Sequence, residues 1–185
     1  GASALMAAEA VDRLGGPGAC DQLELSFFTA GTGGAGPTIV SATFLLLASD
    51  ALTLSGGELS GQPAWSGRRS IDFGGSVGRR ACFLLDNPDV PSTAAALQIA
   101  NCASRFGTAP ALWNLLFAVM QKLPKPLLRN RQAMHAFSLL SMPVIRAVDA
   151  AIGSTNAMRI DAHGASGTRY EGPRVELSIA GDGAD

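Results

Sequence analysis

Polar and apolar residues alternate over 22–30, with Leu23, Leu25 and Phe27 on one side and Glu24 and Ser26 on the other, which predicts a strand. The pattern then switches. Glycines fill 31–36, and Pro37 opens an apolar run to 49 that predicts a helix, because proline at a first helical position lacks only an N–H that would be unpaired anyway. Upstream, Leu5, Met6, Val11 and Leu14 predict a helix over 3–14, capped by Ser3 and stopped at Gly15-Gly16-Pro17-Gly18. Downstream, 51–67 is rich in Gly, Ser and Pro and predicts a strand stub and turns. Arg69–Phe73 and Arg79–Asp86 alternate around Gly74, Gly75 and Gly78, as two neighbouring strands do. A short helix is expected from Ser92 to Gln98, then a strand over 99–106.

The last part of the chain is helical before it returns to strands. Leu112, Leu115, Leu116, Val119 and Met120 share one stripe of a helix over 110–122, and a long helix follows over 127–152 with a break or kink near Met142, before Pro143. Two alternating strands, 156–164 and 172–180, close the chain, with Gly164–Gly172 as the turn between them. Alternation without continuous Val/Ile runs argues against an all-parallel sheet. The expected fold class is α+β: one domain over 1–185, a mixed, mostly antiparallel sheet with helices packed on one face.

Composition narrows the function classes. The chain is 47% hydrophobic and 16% charged with a net charge of −1, enough apolar content for a proper core and no electrostatic footprint for nucleic acid. Arg68-Arg69 and Arg79-Arg80 read as a solvated face or local ion pairs. Cys20, Cys82 and Cys102 form no C-x-x-C and no disulfide framework, which suits a reducing compartment. With two histidines and no ligand spacing, no metal site is expected. No apolar run reaches the roughly 18–20 residues of a membrane span, and the runs Thr38–Ala48 and Ala109–Met120 read as buried helices. The opening GASALMAAEAVDRL reads as a domain helix rather than a signal peptide, in a chain that is a fragment or a processed piece.

The stretch with most chemical promise is the glycine loop. Gly31, Gly33 and Gly36 fit G-x-G-x-x-G, the dinucleotide-binding turn. Three features oppose it. The strand before it alternates, although the opening strand of such a unit is buried on both faces and reads as a solid apolar run. Pro37 would fall inside the early turns of the helix. No acidic residue ends a second parallel strand about 20 residues on. Two readings remain beside it: a plain strand-to-helix connection, and a loop whose bare amides approach a ligand held mainly by another domain. Elsewhere, His135 reads as a packed histidine and His163 as an exposed one. Lys122 and Lys125 read as solvated, Asp72 and Asp86 are too scattered for a carboxylate pair, and there is no G-x-S-x-G. Arg105 to Pro110, followed by Trp113-Asn114, sets an Arg, a Thr, a Trp and an Asn at a strand-to-helix junction, either as a cap with a core tryptophan or as the rim of a ligand site.

The segments SFFTAGTGGAGPTIVSATFLLL, SIDFGGSVGRRACFLLDNPDVPST and ASRFGTAPALWN resemble the C-terminal domain of saccharopine dehydrogenase-like oxidoreductases, nearest to the plastid-associated members of plants, algae and photosynthetic bacteria. The resemblance covers Ser3 to about Asp161. It implies a partner N-terminal Rossmann domain that binds NAD(P), outside this chain, so that the chain itself holds no cofactor and is inactive alone. It also implies that this domain lines a substrate cleft and forms dimer contacts, and it makes a plastid location plausible. The cleft-facing positions it points to are Thr32, Gly33, Gly34, Arg105, Thr108 and Asn114. The competing expectation is a non-enzymatic accessory subunit of a larger plastid assembly.

Overall fold

A computed structural model describes residues 1–31, 36–164 and 167–179. The elements run α1 (Ala2–Leu14), β1 (Gln22–Ala30), α2 (Pro37–Leu46), β2 (Ala51–Ser55), β3 (Glu58–Gln62), β4 (Arg69–Asp72), β5 (Arg79–Leu84), α3 (Asp89–Leu97), β6 (Asn101–Ala109), α4 (Ala111–Met120), α5 (Lys125–Leu128), α6 (Arg131–Ile152), β7 (Ser154–His163) and β8 (Arg169–Ile179). A mixed, mostly antiparallel sheet carries helices on one face, the α+β class expected.

β1 is central. It pairs with β6 in parallel along all nine of its residues and with β7 in antiparallel fashion, and β8 continues beyond β7. Two hairpins share the other edge of β6: β2–β3 meets it at Leu54–Cys102, and β4–β5 meets it at Phe83–Phe106. The β2–β3 turn is Gly56-Gly57, both with φ in the left-handed range, as a two-residue hairpin requires. The stretch expected as a stub and turns is therefore a complete hairpin.

Register sorts side chains onto two faces. Leu23, Leu25, Phe27 and Thr29 share a face with Cys102, Ser104, Phe106 and Thr108 of β6 and with Ala162, Ile160, Met158 and Asn156 of β7. On this helix face, Met6, Ala7, Ala10 and Val11 of α1 and Val90 and Ala94 of α3 pack over Leu23, Leu25, Cys102 and Ile160. Toward the other end, α2, α4 and α6 bring Val40, Phe44, Phe117 and Ile145 into a second cluster with Trp65 and Leu85. The opposite face carries Glu24, Ser26 and Phe28. Its apolar part is covered by Ile71, Phe73 and Val77 from the β4–β5 hairpin, which lies under the sheet as a third layer.

Several boundaries differ from expectation for local reasons. α1 begins at Ala2 with Gly1 as N-cap, so Ser3 is a buried helical residue rather than a cap. α2 starts at Pro37 as expected but ends at Leu46. α3 starts at Asp89, with Pro91 inside its first turn, where proline costs no hydrogen bond. β6 starts at Asn101 and continues to Ala109. The stretch from 127 is split: α5 ends at Leu128 with Arg129 as its C-cap, and Asn130 caps α6 by accepting from the N–H groups of Gln132 and Ala133 at 3.0 and 3.1 Å. α6 then runs through Pro143 without a break. The helices expected to be buried are two-sided. Ile39 of α2 and Leu112, Leu115 and Val119 of α4 are exposed, whereas Phe117 and Met120 turn inward.

Candidate functional site

The C-terminal ends of the parallel pair β1 and β6 emerge beside Gly31 and the first turns of α2, and a cavity of about 370 Å3 lies there. It is lined by Gly31, by Ile39, Val40 and Phe44 of α2, by Trp113 and Phe117 of α4, and by Ile145 of α6. Thr108 supplies part of the floor. A second cavity of about 540 Å3 continues along the helix face toward Leu85, Asp86, Asn87 and Val175. Thr29, Thr43, Phe106 and Asn156 border both. At that junction the Thr29 hydroxyl donates to Asn156 Oδ1 at 2.9 Å, which leaves the Asn156 amide NH2 as a donor group on an exposed side chain.

Gly31 is glycine because of packing. Its φ is +65°, and a Cβ there would run into the Gly153 carbonyl at the α6–β7 joint and come within 3.1 Å of Asp149. Around it, the dinucleotide arrangement is missing among the described residues. The strand after α2 is β2, which pairs antiparallel with β3 and β6, so β1–α2–β2 is no parallel nucleotide-binding unit. One premise against that motif fails all the same: β1 is buried on both faces although it alternates, with Glu24 5% and Ser26 1% exposed.

The positions singled out in the sequence separate spatially. Thr32, Gly33 and Gly34 lie outside the described residues. Thr108 lines the cavity. Asn114 works through the backbone: its amide oxygen accepts from Thr108 N–H at 3.3 Å and its NH2 donates to the Thr108 carbonyl at 3.0 Å, pinning α4 to the end of β6. Its own carbonyl accepts from the Trp65 indole at 2.9 Å. Arg105 lies on the opposite face, beside Glu24 at 3.7 Å, and its Nε donates to the Gly67 carbonyl at 3.3 Å. Burial pushes the Arg105 guanidinium down from its usual pKa, against the pull of Glu24.

That opposite face holds charges that sequence inspection passed over. Glu24 pairs with Arg69 and accepts from Gln22 at 2.7 Å. Buried Arg159 donates through Nε to both oxygens of Asp161 at 2.9 and 2.8 Å, gives a further N–H to the Asp72 carbonyl at 2.6 Å, and reaches Glu171 at 3.2 Å. Burial pushes the Arg159 pKa down, and the bond to Asp161 with the nearby acidic charges raises it overall. A polar cavity of about 490 Å3 borders these groups, and Arg69, Arg159 and Arg169 there are paired with Glu24, Asp161 and Glu171, as in a structural ion-pair network. His163 lines it half-buried rather than exposed, and His135 on α6 is exposed rather than packed. The signal for the network was the alternation itself, because every second residue of a central strand must be buried against something.

No nucleophilic thiol is available near neutrality among the described cysteines. Cys82 and Cys102 are buried, and burial pushes both up to about 12. Among the described residues no group of His, Cys, Asp and Glu is arranged to hold a metal. No helix of the described residues is long and apolar enough to cross a membrane. Comparison with protein-family models and with curated proteins finds no match.

Proposed function

We propose that this chain is the ligand-holding half of a two-domain oxidoreductase of the saccharopine dehydrogenase-like kind, with the helix-face cavities as its share of the substrate cleft and the NAD(P)-binding domain on another part of the protein. The carrying observation is the position of the smaller cavity: beside Gly31, at the C-terminal ends of the parallel strand pair, where open sheets hold their ligands. Hydride transfer needs a nicotinamide set against the substrate. The β1–α2 joint does not provide a dinucleotide turn, so the domain acts by binding and orienting. The expected result in a titration calorimeter is that the isolated chain takes up no NADPH; binding in the micromolar range would sink the proposal.

A second proposal, a non-enzymatic accessory subunit of a larger plastid assembly, is favoured by the apolar residues left on the helix surface. Leu112, Leu115 and Val119 form one exposed stripe on α4, and Leu140 and Val144 another on α6. Such stripes suit a protein partner or a second copy of the chain. The full-length transcript separates the two. A G-x-G-x-x-G following a solidly apolar strand upstream of Gly1 favours the enzyme, and a transit peptide joined directly to Gly1 favours the subunit.

A further inference from the structure

The helix-face site discriminates by charge. Among the described residues that line the two cavities there is no Lys, Arg or His, and the single ionisable group is Asp86, which accepts from Leu52 N–H at 3.4 Å. An anionic group entering here would lose its hydration with no counter-charge to replace it. The polar groups that are present are mostly committed to the protein. The Thr43 hydroxyl donates to the Ile39 carbonyl at 3.1 Å, and Asn87 is engaged with Ser104 and with Asp89 N–H. What remains at the junction of the cavities is the Asn156 NH2, a neutral donor beside the Thr29 oxygen. Phe27, Leu46, Leu85, Met158 and Val175 make the longer arm apolar, and Phe44, Trp113, Phe117 and Ile145 do the same for the shorter one.

We propose that the two cavities together take one uncharged, elongated and mostly hydrocarbon molecule, whose carbonyl or hydroxyl oxygen meets the Asn156 amide where the cavities join. This rests on the reading of the helix face as the substrate site, and it sets the substrate class apart from amino acids, whose carboxylate finds no counter-charge among the described lining residues. The buried ion pairs of Glu24 with Arg69 and of Arg159 with Asp161 lie on the opposite face.

The test uses the full chain with three probes of equal length, 1-decanol, decanoate and decylammonium, below their aggregation concentrations. Binding is followed by calorimetry and by tryptophan fluorescence in a Trp65→Phe background, where Trp113 of the cavity lining is the remaining tryptophan. Decanol should bind at least about tenfold more tightly than either ion. Thr43→Phe, which fills the space bordering both cavities, should weaken decanol by about tenfold or more. Asp86→Lys should bring decanoate to within a fewfold of decanol, and it keeps the experiment informative if Thr43→Phe folds poorly. If decanoate or decylammonium binds as tightly as decanol and Thr43→Phe removes it, the preference for an uncharged ligand is overturned while the cavity stays a binding site. If none of the three binds the folded chain, both the preference and the substrate-site reading fall.

Discussion

A glycine can stand in a sequence for two opposite reasons, a ligand that must come close or a piece of the protein that already has. Gly31 shows the second, with the Gly153 carbonyl in the place of its missing Cβ, whereas Gly36, at φ −75°, has open space around its Cβ position. A motif reading treats the two alike, because the α6–β7 joint that crowds Gly31 comes from a distant part of the chain. Thr108 stood in the sequence at a strand-to-helix junction read either as a cap or as the rim of a site, and it lines the smaller cavity. The opposite placement of Arg105 was not, because it depends on the register of β6 against β1. Gly31→Ala should cost about 1–3 kcal/mol in urea denaturation, from left-handed backbone strain and the approach to Gly153. Gly36→Ala, at a helix N-cap with room for a methyl group, should cost about 1 kcal/mol or less. Equal losses at the two glycines would remove close packing as the reason for Gly31.

At the scale of elements, starts written in local chemistry were readable and partnerships were not. Pro37 announces α2, and Gly15 stops α1 with its left-handed backbone. Alternation marks the strand pairs β4–β5 and β7–β8. Asn130 lay inside the stretch 127–152 expected as one helix, although its side chain caps the start of α6. The apolar stripe of α4 was legible as a stripe but not as the exposed side: Leu112, Leu115 and Val119 face out, whereas Phe117, across the helix from Leu115, turns inward. Asn130 accepts two N–H groups at the start of the longest helix, so Asn130→Ala should lower stability by about 1 kcal/mol and Asn130→Asp should be close to neutral. Equilibrium unfolding of the three proteins decides it: a loss in Asn130→Asp as large as in Asn130→Ala would show that the cap does not hold α6.

At the scale of the whole molecule, the chain builds three layers, helices over a sheet over a hairpin, and gives each sheet face its own chemistry. This was the least legible level, because it depends on β1 finding β6 across α2, two hairpins and α3, pairings that local pattern does not encode. The layers are tied at Glu24. From the middle of β1 it reaches Arg69 in the hairpin layer and Arg105 in β6, with its side chain almost wholly buried. Two positive charges held against one carboxylate in a buried place make a lattice whose members depend on each other more than on water. Removing one member is then worse than removing a pair. Glu24→Leu leaves Arg105 buried without its counter-charge and should cost about 3–5 kcal/mol. Glu24→Leu combined with Arg105→Met takes away both charges, leaves half-exposed Arg69 to solvent, and should regain most of that loss. Hydrogen exchange gives the spatial counterpart: in Glu24→Leu the amides of β4 and β5 should lose protection before those of β1 and β7. If the double variant is as unstable as the single one, the buried charge on Arg105 is not what Glu24 answers, and the hairpin is held by Phe28, Ile71 and Phe73 instead.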